Sequence, residues 1–191
     1  MKKTTMALIA IIAIVFFAIT WGIGTRNGLV SMNEEVQLEA SQVETQLQRR
    51  SDLIPNFVAT VKGYAAHEEE VYTAIADARS KLAGAIEEDD VAAINEANSA
   101  LDSALSRLLV IVENYPELKA NQNFIALQDE LAGTENRIAI AREDYNTIVA
   151  SYNKEIKMFP KNLIANMCGF EEAEYFEASE EAKDVPVVKF E

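Results

Sequence analysis

The 22 positions from 4 to 25 carry no charged side chain and are mostly apolar, with Leu, Ile, Val, Met, Phe and Trp interleaved with Ala, Gly and Thr. As a helix that stretch is roughly 33 Å long, enough for a bilayer core of about 30 Å. Trp21 stands where an interfacial aromatic belongs. The run is longer than the apolar core of a secretory signal, and Gly22-Ile23-Gly24-Thr25 offers no convincing cleavage site. Residues 1–25 therefore read as a retained transmembrane anchor that meets the lipid bilayer through residues 4–25.

From Leu29 onward apolar residues return every three or four positions, the period of an amphipathic helix. The first run is Leu29, Met32, Val36, Ala40, Val43 and Leu47. Arg49 and Arg50 interrupt it, and Ser51-Asp52-Leu53-Ile54-Pro55 supplies an N-cap and a first-turn proline. A second run takes in Phe57, Val61, Tyr64, Val71, Ile75, Ala78 and Leu82. A turn follows from 84 to 90, with Asp89 or Asp90 as cap of the third run: Ile94, Ala97, Leu101, Ala104, Leu108, Ile111 and Tyr115. Pro116 ends it. The fourth and longest run extends from Phe124 through Leu131, Ile138, Tyr145 and Tyr152 to Phe159, with Gly133 and Thr134 its weakest point.

One helix from 29 to 82 would be about 80 Å long, far longer than the third helix that would have to cover it. Splitting it near Ser51 gives pieces of similar length. The expected fold is all-α: a transmembrane helix, then an up-and-down antiparallel four-helix bundle over residues 26–170. The alternative is three long helices, the first kinked near Pro55. Residues 171–191 carry eight acids against Lys183 and Lys189 and read as an acidic, mostly disordered tail. Its end, Val187, Val188 and Phe190, is apolar enough to dock on a partner surface.

Composition narrows the chemistry. The chain holds 17 basic and 31 acidic residues, a net charge of −14, which argues against nucleic-acid binding. A single cysteine, Cys168, excludes an intramolecular disulfide, and a single histidine, His67, excludes two-His metal sites. His67-Glu68 resembles the start of a zinc-hydrolase motif, but Val71 stands where the second histidine belongs. Cys168 has no cationic activator close in sequence. Glu68, Glu69 and Glu70 read as a solvated face, and 87–90 as a loop and cap. Phosphate-binding glycine loops and nucleophile elbows are absent from the sequence. No catalytic residue, cofactor or metal is expected.

Polar residues at helical spacing are more informative. Arg49, Arg50 and Asn56 flank the interruption near 51, and the fourth run carries Glu135, Asn136, Arg137, Arg142, Asn146 and Asn153. Asn136, Asn146 and Asn153 are separated by nearly whole turns. Such a column suits an inter-helix hydrogen-bond network that fixes register, with an active-site cleft as the rival reading.

The stretch Gln48-Arg49-Arg50-Ser51-Asp52-Leu53-Ile54-Pro55-Asn56, continued by Lys62-Gly63-Tyr64 and His67-Glu68, resembles the signature of the LemA family. So do Tyr115-Pro116, Glu135-Asn136-Arg137-Ile138, Ala141-Arg142, Tyr145-Asn146, Tyr152-Asn153, Phe159-Pro160 and Gly169-Phe170. Arg26-Asn27 replaces the family's usual Tyr-Asn, and Ala40 its usual Trp. The resemblance implies a single-pass bacterial membrane protein with a helical domain and a poorly defined molecular function. It also implies relatives that serve in forming membrane-bounded organelles, and gene neighbourhoods with membrane metalloproteases.

The function expected is thus non-catalytic: a membrane-anchored scaffold or assembly factor in envelope organisation, self-associating or binding another membrane protein. The alternative is an adaptor or regulator of a membrane protease. The setting is the bacterial cytoplasmic membrane. Lys2 and Lys3 before the anchor outweigh Arg26 after it, which places the domain outside the cytoplasm. The resemblance implies the opposite orientation, with the domain cytoplasmic.

Overall fold

The computed structural model describes residues 3–177, and the ordered elements among them are helical. They are α1 (Lys3–Lys62), α2 (Glu69–Glu87), α3 (Val91–Val112), α4 (Pro116–Lys119), α5 (Gln122–Lys157) and α6 (Lys161–Cys168). The chain divides into two compact units. One contains the described residues up to 39 together with 147–173. The other contains 40–146 and the stretch beginning at 174.

The expected break near Ser51 is not present. Helix α1 runs through it, with Pro55 inside. The reason lies in a register the sequence contains but the two arginines obscure. Leu29, Val36, Val43, Arg50 and Phe57 recur every seventh residue, and Leu47, Ile54 and Val61 fill the interleaved positions; all are buried. This is the a/d pattern of a continuous helix seam. A proline inside a helix costs about 3 kcal/mol. Burial of Leu47, Ile54, Phe57 and Val61 around it offsets that, at roughly 1.5–3 kcal/mol per side chain.

The true end of α1 is at Lys62, where Gly63 opens a turn. The Tyr64 and Ala65 amides both donate to the Val61 carbonyl, at 2.9 Å each. The Tyr72 hydroxyl, one turn into α2, donates to the Ala65 carbonyl at 2.7 Å and closes the corner. Helix α2 runs on past Gly84, where the turn is expected to begin, to Glu87, and the turn before α3 takes only 88–90. Asp89 takes a left-handed φ of 53°, a conformation that Asp tolerates better than most residues. The Asp90 carboxylate caps α3 by accepting from the Ala93 amide at 2.9 Å.

Helices α2 and α3 bury regular stripes: Tyr72, Ile75, Ala78 and Leu82 on one, Ile94, Ala97, Leu101 and Leu108 on the other. Helix α5 does not yield at Gly133 and Thr134. Thr134 is fully buried and its hydroxyl donates to the Glu130 carbonyl at 2.7 Å, so the β-branched residue is satisfied inside the helix. Phe57 of α1 stacks on Phe124 of α5, with ring centroids 5.2 Å apart.

Residues 171–177 belong, by composition, to the acidic tail, where disorder is expected. The structure shows them held by backbone hydrogen bonds to side chains of α5. The composition argument weighs charge and cannot see side-chain donors waiting on another element.

Leu101 is fully buried and Val110 largely exposed on the same helix. Leu101→Ala should lower unfolding stability by about 2–5 kcal/mol, and Val110→Ala by under about 0.5 kcal/mol. Urea titration of the full chain in mild detergent, followed by circular dichroism, measures both. Equal effects would mean that the α3 stripe does not face a core.

Candidate functional site

Arg50 is the most deeply placed charge among the described residues, only 6% exposed at a seam position of α1. Its guanidinium reaches two other helices. One Nη donates to the Asn98 Oδ1 of α3 at 3.1 Å and lies 2.9 Å from the Glu135 carboxylate of α5. The other Nη is bound by Asp102 of α3. Asn98 completes the ring by donating to Asp102 Oδ2 at 2.9 Å. Next to Arg50, the Ser51 hydroxyl accepts from Arg79 Nε of α2 at 3.1 Å. Consecutive residues of α1 thus make polar contact with α2, α3 and α5.

Sequence reading picks out Arg50 and Glu135, and the structure joins them. Asn98 and Asp102 escape it, although one signal is present. They form a polar i, i+4 pair within the stripe that otherwise reads Ile94, Ala97, Leu101 and Leu108.

The remaining candidates separate. Arg49 and Arg137 both pair with Glu130 in exposed settings. Asn56 and Asn136 are exposed, so the column from Asn136 to Asn153 does not form as one network. His67 and Cys168 are exposed as well. Val187, Val188 and Phe190 lie outside the described residues.

Arg142 comes close to the Arg50 cluster in charge but not in bonding. Its Nε and Nη2 are buried and find no hydrogen-bond partner among the described residues. Burial pushes its pKa down, with Glu135 and Asp102 countering and the Arg50 charge adding to the fall. One face of its guanidinium lies against the Phe176 ring, 5.4 Å from the centroid.

Asn146 and Asn153 do form paired bonds, but to backbone. Asn146 donates to the Phe176 carbonyl at 2.8 Å and accepts from the Phe176 amide at 2.9 Å. Asn153 treats Ala173 in the same way, at 2.8 and 2.9 Å. The tyrosine before each asparagine adds a third bond: Tyr145 donates to the Glu174 carbonyl and Tyr152 to the Glu171 carbonyl, both at 3.0 Å. Tyr-Asn, repeated after seven residues, is thus a clamp for the backbone of non-helical chain. An amide side chain matches the donor and acceptor of one residue's backbone.

Beside Arg50 a cleft of about 380 Å³ opens between Phe57, Asp102, Leu105, Leu109, Leu131 and Glu135. Its walls are mainly apolar, and its two acids are those already bound to Arg50. Among the described residues no group of three potential metal ligands comes together.

The sequence model of the LemA family matches residues 39–190. The chain belongs to the LemA family. It is 30% identical to magnetosome protein MamQ 2 of Paramagnetospirillum magneticum over 96% of this chain and 75% of that protein. Magnetosome protein MamQ of Magnetospirillum gryphiswaldense shows the same identity and coverage. Protein LemA of Metamycoplasma hominis is 30% identical over 87% of this chain and 78% of its own length. As a LemA-family chain it is a bacterial-type, membrane-associated helical protein.

Arg50→Met strips the partner from Asp102 and Glu135 and should cost about 3–5 kcal/mol of stability, as breaking a buried ion pair does. Arg49→Ala, at an exposed pair, should cost less than about 1 kcal/mol. Urea midpoints of the two variants test the contrast, and equal midpoints would show that Arg50 is not buried.

The phenols add a pH dependence. Burial, then Asp89 and Glu174, pushes Tyr145 up to about 12. Burial raises Tyr72 too, with Glu68 and Tyr115 adding to it, and raises Tyr152 with help from Glu171. An acid whose pKa is raised by folding stabilises the fold fully below its unfolded value. Stability should therefore be level up to about pH 10 and fall as pH climbs toward 12. Tyr145→Phe should flatten part of that fall in urea midpoints measured across the range. An unchanged slope would mean that Tyr145 titrates normally.

Proposed function

We propose that the chain is a non-catalytic, membrane-anchored scaffold or assembly factor of the bacterial cytoplasmic membrane, acting in envelope organisation with itself or another membrane protein. The observation that carries this reading is the continuity of α1. The helix that holds the uncharged run is the one that brings Arg50 to Asn98, Asp102 and Glu135. A cut near Gly24 would fall inside that helix, which supports a retained anchor over a cleaved signal.

The chemistry around Arg50 supports a structural role. General acid–base catalysis needs a positioned group free to exchange a proton. The acids of the cleft are instead engaged with Arg50, and a buried polar residue at a seam position suits the fixing of helix register. The turn at 88–90 is short enough to make α2 and α3 antiparallel neighbours. It supports up-and-down packing of α2, α3 and the parts of α1 and α5 that share their unit. Similarity to magnetosome proteins supports a role in membrane organisation. Lys2 and Lys3 against Arg26 support a domain outside the cytoplasm.

Photocrosslinking of the full chain in native membranes tests this reading. Species at multiples of the chain's own mass are expected to dominate. Recovery of one distinct membrane protein without self-crosslinks would replace the scaffold by an adaptor, of which a protease regulator is one form. Protease added to intact spheroplasts should digest the domain, and protection there would reverse the proposed orientation.

A further inference from the structure

Helix α6 follows α5 through Met158, Phe159 and Pro160, and it turns its apolar residues the wrong way for a helix in water. Ala165 is buried and Ile164 half-buried, while Phe159 is 79% exposed, Met167 82%, Leu163 53% and Met158 47%. These four lie within ten consecutive residues at one corner. A cluster of this kind marks a surface that meets something apolar.

The position of α6 along α1 says what that is. A Cβ built on Gly22 would meet the Ile164 Cδ1 at 3.6 Å, so α6 is packed at the level of Gly22. Lys161 and Glu155 line a cavity of about 580 Å³ with Trp21, Gly24, Thr25 and Gly28. Gly22 is about 5 Å inside the end of the uncharged run, by helical rise. Trp21 beside it is the interfacial aromatic. Ile164, next to exposed Leu163 and three residues before exposed Met167, thus lies beside the part of α1 that would meet the bilayer interface.

The charges at this corner fit the boundary without driving it. Lys161 pairs with Glu155 and Lys157 with Glu172, the latter at 2.7 Å. Burial of apolar surface must therefore supply the attraction. Because α1 already tethers the corner at the bilayer, insertion does not repeat the entropy loss of association.

We propose that the α5–α6 corner inserts Met158, Phe159, Leu163 and Met167 into the interfacial region of the bilayer that α1 spans. It gives the protein a second, non-spanning membrane contact. The proposal rests on α1 being transmembrane, and its test separates the two.

Trp21 is the sole tryptophan and Cys168 the sole cysteine. The full chain is reconstituted in vesicles with lipids brominated just below the headgroup. The parent's fluorescence reports the end of α1. A variant carrying Trp21→Phe and Met167→Trp reports α6. The indole at 167 should be blue-shifted and should lose emission as the parent's Trp21 does. Quenching of the parent but not of the indole at 167 would overturn the proposal and leave the anchor standing. Absence of quenching in both would overturn both. In a second measurement, Phe159→Asp with Met167→Asp should make Cys168 react several-fold faster with a charged maleimide in plain vesicles. Equal rates would show that α6 stands in water in the unaltered protein and overturn the proposal.

Discussion

Arg50 occupies a position where the heptad register of α1 asks for an apolar side chain. A guanidinium there is tolerated only when carboxylates and amides from neighbouring helices replace its lost hydration. Asp102 and Asn98 arrive from α3, one turn apart, and Glu135 from α5. Sliding either helix by a turn would leave a buried charge without its partner. Apolar stripes such as that of Leu101 and Leu108 accept several registers at similar cost, whereas this cluster accepts one. Within 40–146, a few polar atoms therefore join α1 to α3 and α5.

The same economy appears in the Tyr-Asn pairs of α5. Each pair binds backbone and so places few demands on the bound sequence: Ala173 and Phe176 have nothing in common beyond their amide and carbonyl. Side chains add to this at Phe176, which packs edge-on against Tyr145 and covers Arg142, and at Glu172, which pairs with Lys157. Arg142 has buried nitrogens without hydrogen-bond partners among the described residues and a depressed pKa, and that aromatic face gives its charge a favourable contact. Residues 171–177, within a stretch that composition marks as solvated, are thereby held against α5.

Helix α1 also carries the uncharged run, and α6 is packed beside Gly22, close to the end of that run. Exposed Phe159 and Met167 would be a liability in water and become an asset at a lipid boundary. The Arg50 cluster and the lipid-facing corner thus answer to opposite rules. One is polar where the surroundings are dry, and the other is apolar where the surface is open.

Helical class, the long apolar N-terminal run, the Asp90 cap and the close of α5 just before Pro160 were legible in the sequence alone, because period, charge absence and capping are local properties. Helix α3 stops at Val112, short of the Pro116 expected to end it, and Pro116 opens α4. Family membership was legible in the same way, from motifs in order along the chain. The course of α1 through Ser51 and Pro55 was decided by tertiary packing. Paired arginines look like an interruption until Asp102, Asn98 and Glu135 are known to meet one of them. The partners of Asn146 and Asn153 were equally hidden. Helical spacing tells which side chains share a face, but the chain that lies against that face comes from elsewhere in the sequence, and only folding brings it there.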